Sequence, residues 1–132
     1  MNSFNDLENV YQVLDFSISH NRMLMRSMKN QFREYHIDLF FKGVSFICMT
    51  MRFDGIKISP STPTEMTNLR CNVKVDSDEV GYSSFTLTDK IGDFYYITAS
   101  AWGVFHNRLD LLETSLTNDN WEDLGELVLW YQ

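Results

Sequence analysis

The hydrophobic pattern is densest from Ile37 to Ile58, IDLFFKGVSFICMTMRFDGIKI, where eight of 22 positions are Phe or Ile and no other stretch is as apolar or as rich in strand formers. Ile37, Leu39 and Phe41 share one face of an extended chain, with Asp38, Phe40 and Lys42 on the other. Val44, Phe46 and Cys48 alternate in the same way with Ser45, Ile47 and Met49. Gly43 and Gly55 interrupt the pattern, and glycine inside a strand marks a bulge or a turn. The spacing predicts three short strands at the centre of a single core.

Ahead of this stretch the period changes. Phe4, Leu7, Val10, Tyr11 and Leu14 fall at i, i+3, i+6, i+7 and i+10, one face of a helix, and Ser3 with Asp6 resembles a capping pair. A short N-terminal helix is predicted there. Phe16 and Ile18 return to alternation, His20-Asn21-Arg22 reads as a turn, and MLMRSM reads as the returning strand of a hairpin. Lys29 to Tyr35 is polar and reads as a loop.

Beyond Ile58, the segment Ser59–Asn68 carries both prolines and reads as the clearest loop of the chain. Asp76 to Glu79 is a second loop, and YSSFTLT and FYYITASAW read as strands paired about the turn DKIGD. LDLLETSL fits helix or strand. Near the end, Trp121, Leu124, Val128 and Tyr131 have helical spacing, whereas Gly125 and ELVLWY favour a strand, and both readings stay open. The predicted class is α+β. One domain over residues 1–132 holds a mainly antiparallel sheet, an open or partly closed barrel, with the N-terminal helix and a C-terminal one where helical spacing prevails.

Composition supports a packed domain: 44% of the 132 residues are hydrophobic and 22% charged. The start MNSFNDLENV has neither the basic nor the apolar region of a secretory signal, and no apolar run approaches the roughly 18 residues that span a bilayer. A soluble, cytoplasmic protein is expected. In that compartment Cys48 and Cys71 read as reduced thiols, with Cys48 a buried small hydrophobe between Ile47 and Met49.

Charge changes the picture more. Residues 1–35 are neutral and residues 36–75 carry +2, but residues 76–132 hold eleven acids against Lys90 and Arg108, a net −9 within a total of −7. Such a half repels phosphate backbones and anionic lipid and attracts basic partners. Asp76, Asp78, Glu79, Asp89, Asp93, Asp119, Glu122 and Asp123 are the candidate contacts to such a partner. The same residues also serve plain solubility.

Motifs for chemistry are scarce. No metal-ligand spacing, phosphate-cradling glycine loop or nucleophile elbow occurs, and no cofactor or metal is expected. His36 and Asp38 would share a strand face and could orient a base, although a polar surface pair is the plainer reading. Tyr95, Tyr96, Trp102, Trp121 and Trp130 suggest a second use, a platform for a small molecule or carbohydrate, against the ordinary reading of core packing. Met23, Met25, Met28 and Met49 read as gap fillers of the core.

The order SISHNR, MLMRS, IDLFFKGVSFI and FYYITASAW resembles small β-rich immunity-type proteins of bacterial toxin systems. His20, Phe41, Gly43 and Val44 carry the likeness. The resemblance implies a cytosolic, non-catalytic protein that binds and blocks a toxin domain. An acidic half suits that role, since toxins that attack nucleic acid present basic surfaces.

Overall fold

In a computed structural model of the chain, the structure describes residues 3–72, 82–114, 116 and 124–131. Among these residues nine strands form one antiparallel sheet: β1 (Phe4–Ser17), β2 (Arg22–Ser27), β3 (His36–Lys42), β4 (Phe46–Cys48), β5 (Arg52–Pro60), β6 (Ser83–Thr88), β7 (Phe94–Ala99), β8 (Ala101–Asn107) and β9 (Glu126–Tyr131). A helix, α1 (Pro63–Asn72), lies between β5 and β6. Among the described residues no helix is long and apolar enough to cross a membrane.

The sheet order is β4-β7-β6-β5-β1-β2-β3-β8-β9, and its two ends are joined through the chain. Only Ser100 separates β7 from β8, so residues 94–107 act as one bent strand. Along one side of it run β3 and β4, a second bent strand. The Ser100 N–H donates to the Lys42 carbonyl (3.0 Å) and the Ser45 N–H to the Thr98 carbonyl (2.9 Å) across the bend. Along the other side run β6 and β9. From β3 the ladder passes through β2, β1 and β5 back to β6, and the sheet closes as a barrel. Gly43 makes the bend with a φ of +61°, and a β-carbon there would strike the Ser100 hydroxyl.

Every strand of the ring contributes to the interior. Tyr11, Met25, Leu39, Phe41, Phe53, Ile56, Leu87, Ile97 and Trp102 are fully buried there. Met23 and Met25 pack in this interior, with Met49 against its edge. A second, smaller core lies outside the barrel wall, where Leu24, Phe40 and Phe105 are covered by Leu116 and Leu124. Consequently β2, β3 and β8 are buried on both faces. The cover is the strap that leaves β8, described from Arg108 to Thr114 and at Leu116.

Several expectations are overturned. The fold is nearly all β rather than α+β, and Ser3–Leu14 is no helix but most of the 14-residue β1. The register of β1 slips against β5 between Asp6 and Val10 and against β2 between Val13 and Asp15. Each bulge displaces the apolar positions from strict alternation, so that Tyr11 and Val13 face the interior while Leu14 joins the outer core. Two slips in a period of two imitate a period of three to four. The helical spacing at the C-terminus likewise belongs to a strand, β9, over its described part.

The proline-rich segment Ser59–Asn68 is not all loop, because α1 begins at Pro63. Thr62 and Glu65 form a reciprocal capping box, with the Thr62 N–H on Glu65 Oε1 (2.8 Å) and the Glu65 N–H on Thr62 Oγ1 (3.2 Å). Cys48 is exposed on β4 and unpaired rather than buried, and the side chain of Cys71 lies outside the described residues.

Candidate functional site

Register sets four polar residues in a row across the outer wall of the barrel. Arg52 on β5 faces Gln12 on β1, Gln12 faces Arg26 on β2, and Arg26 faces Asp38 on β3. Cross-strand neighbours stand about 5 Å apart at Cβ, close enough for their heads to interact. The row divides into a closed half and an open half.

In the closed half Arg26 and Asp38 form a bidentate ion pair, Nε to Oδ1 at 2.7 Å and Nη2 to Oδ2 at 2.9 Å. Both residues are buried. Asp38 also accepts from the Asn107 amide, and Arg26 Nη1 donates to the strap carbonyls of Asp110, Leu111 and Glu113. An Arg guanidinium holds five fixed donors and suits this shared duty. His36, one pleat away, is fully buried. Its Nδ1 accepts from the Lys29 N–H (2.9 Å), which leaves the ring proton on Nε2 to donate to the Leu109 carbonyl (2.8 Å). Burial is the main cause that holds this imidazole below its ordinary pKa, with Arg26 and Lys29 adding to it and the Leu109 carbonyl and Asp38 opposing.

His36 and Asp38 are therefore not the surface pair that the sequence suggests. Neither nitrogen of His36 meets Asp38, and each is engaged by backbone. His106 stacks on Tyr35 with ring centroids 4.3 Å apart, while the Arg33 guanidinium lies 5.8 Å from the Tyr35 ring. Burial lowers the pKa of His106 as well.

The open half of the row borders a groove of about 380 Å³ on the outer wall, lined by Glu8, Asn9, Val10, Gln12 and Arg52, by Arg26 and Ser27 at the end of β2, and by Met28 and Asn30 beyond it. The first β1 bulge shapes its rim. Asp6 accepts from the Glu8 N–H (3.2 Å), the Asn9 amide (2.9 Å) and the Tyr11 hydroxyl (2.7 Å), which pins the bulge to a buried ring. Burial and this carboxylate drive the Tyr11 phenol far above its ordinary pKa. Among the described residues no carboxylate lies within ion-pair reach of Arg52.

Of the acidic candidates, the structure brings Asp89 and Asp93 together on the β6–β7 turn. Asp89 Oδ1 accepts from the Ile91 N–H (3.1 Å) and the Asp93 N–H (3.0 Å), so this carboxylate builds the turn, while Asp93 is exposed. Asp76, Asp78, Glu79, Asp119, Glu122 and Asp123 lie outside the described residues. The aromatic candidates do not form one platform. Trp102 and Tyr95 pack inside the barrel against Phe85 and Phe53, whereas Trp130 lies outside the wall beside Phe40 and Tyr96 sits half-buried at register with Cys48. Trp121 is outside the described residues.

Among the described residues no three His, Cys, Asp or Glu side chains gather closely enough to hold a metal. Sequence reasoning missed Arg26, Gln12 and Arg52, because charged or amide residues at alternate strand positions look like an ordinary solvated face. No family model, curated protein or solved structure matches the chain.

Proposed function

We propose that the chain is a non-catalytic protein-binding domain of the immunity type, which meets a basic toxin domain with its acidic half and blocks it in the cytoplasm. The observation that carries this reading is charge segregation: residues 76–132 hold eleven acids against two bases, whereas residues 36–75 have a net charge of +2. An excess of that size speeds encounter with a cationic surface and fixes orientation, and it disfavours nucleic acid and anionic membranes as partners. The roles of the buried ionisable groups lend further support. Arg26 and Asp38 direct their polar atoms to each other, to Asn107 and to the strap backbone, and His36 directs its two nitrogens to turn and strap backbone, so among the described residues they serve the architecture. A carbohydrate platform built on Tyr95, Tyr96, Trp102 and Trp130 has less support, since these rings divide between the two faces of the wall.

The experiment is direct association with the protein encoded beside this gene, followed from about 20 to about 500 mM salt, a range over which the Debye length shrinks several-fold. Binding should form quickly at low salt and slow steeply as salt rises. Neutralising Asp119, Glu122 and Asp123 together to amides should slow it further at constant salt. Absence of binding, or binding indifferent to salt and to those amides, would refute the reading.

A further inference from the structure

We infer that the groove at the β1 bulge is a binding site for a carboxylate, anchored by Arg52 and Gln12. This inference is independent of the acidic half. In the row Arg52, Gln12, Arg26, Asp38, the charges of Arg26 and Asp38 satisfy each other under the strap, and the row then runs out into open groove. Gln12 and Arg52 stand opposite each other on adjacent strands, both exposed, and among the described residues neither side chain has a hydrogen-bonding partner. A guanidinium beside an amide, both directed from a rigid wall, matches the planar two-oxygen geometry of a carboxylate.

The surroundings narrow the ligand further. Glu8 lies on the rim, within the bulge between Asp6 and Val10, and its charge disfavours a dianion such as phosphate more than a monoanion. Asn9 and Asn30 offer amides to a neutral polar body, and Val10 offers an apolar surface beside them. A volume of about 380 Å³ falls within the range of small-molecule sites, at the lower end. The rim is also pre-shaped, because Asp6 and the buried Tyr11 hold the bulge in place before any ligand arrives. Bulges are used in this way beside binding sites to re-aim side chains.

Such a carboxylate has two sources, a free small acid or the side chain of a protein partner. The test uses the full chain with isotope-labelled nitrogen and follows the Gln12 and Asn30 side-chain amides and the Arg52 Nε–H by NMR. N-acetylglycine probes the free acid, N-acetylglutamyl-glycinamide the side chain, its glutaminyl counterpart the uncharged control, and inorganic phosphate the dianion. One or both acids should give saturable shifts at these groups, with the tighter one identifying the source; the control should bind at least about tenfold more weakly, as loss of a charge-assisted pair requires, and phosphate should bind more weakly than the acids because Glu8 on the rim repels its second charge. Arg52→Gln should abolish saturation and Gln12→Ala should weaken it, and because both positions are exposed the thermal midpoint should hardly move. No saturable shift from either acid, equal binding by the glutaminyl control, or unchanged affinity in Arg52→Gln would each overturn the inference.

Discussion

Arg26 and Asp38 face each other across β2 and β3 and are joined by two hydrogen bonds of 2.7 and 2.9 Å, with almost no exposure of either side chain. Their charges lie outside the barrel yet beneath the strap. The pair thus acts as a rivet: Asp38 holds the guanidinium in place, and the guanidinium holds three carbonyls of the strap. No other described contact ties so many points of the strap to the wall.

Arg26→Met should therefore cost about 3–5 kcal/mol, the range for breaking one side of a buried pair. The loss would be read from urea unfolding. The double replacement Arg26→Met with Asp38→Leu should recover part of it, because the lone carboxylate is gone, but not all, because the strap carbonyls still lack their donor. A cost below about 1 kcal/mol for the single change would mean that the pair holds nothing.

Acidification should weaken the fold through His36 and His106. Both imidazoles are held below their ordinary value of 6.5, chiefly by burial. The unfolded chain then takes up protons at a higher pH than the folded one, so stability falls as pH drops from about 6.5 through the folded values and levels off below them. For His36 the added proton would sit on Nδ1, facing the Lys29 N–H that it now accepts. His36→Gln should be less stable than the parent at pH 8 but lose less between pH 7 and 5. An unchanged slope would exclude His36 as a source of the effect.

Gly103 sets how closely β9 can lie. A β-carbon on it would collide with the Trp130 ring and stand 2.8 Å from the Leu129 carbonyl. Gly103→Ala should cost about 1–3 kcal/mol, as overpacking does, and should shift the tryptophan fluorescence as Trp130 lifts from the wall. Retention of both the parent midpoint and the parent spectrum would show that β9 has room to spare.

Tyr11→Phe removes the hydroxyl that Asp6 accepts at 2.7 Å, with the ring left in the core. A hydrogen bond to a charged group contributes about 1.5–3 kcal/mol. The loss should also speed amide hydrogen exchange at Glu8 and Asn9, where the bulge depends on the same carboxylate. Exchange unchanged at those two residues would show that the bulge stands without it.

How far the sequence reveals this molecule depends on what each residue is asked to do. The hairpin at His20-Asn21-Arg22 is legible because a tight turn needs left-handed backbone, and Asn21 indeed has a φ of +50°. The β6–β7 hairpin is legible for a related reason, with Asp89 and Gly92 in its turn. By contrast β1 is concealed by its own bulges, and α1 by prolines whose neighbouring Thr62-Pro63-Thr64-Glu65 was in fact a capping signal. The outer core left one visible trace, since Leu24 and Phe40 fall on the face opposite the interior and need a cover of their own. The Arg26–Asp38 pair left none, because a charge reads the same in sequence whether it meets water or a partner.

The bend at Ser100 has a consequence for the order in which the chain can assemble. Hairpins β1–β2 and β2–β3 join near neighbours, but the seam that completes the ring joins His36 to Asn107 and Cys48 to Tyr96. During synthesis β3 consequently waits, with one raw edge, until some sixty further residues have emerged to meet it. Loop-closure entropy makes such a late, distant union slow. In that interval a nascent chain is most open to pairing with its neighbours on the polysome, and shielding by a chaperone would raise yield more than any added stability of the finished barrel.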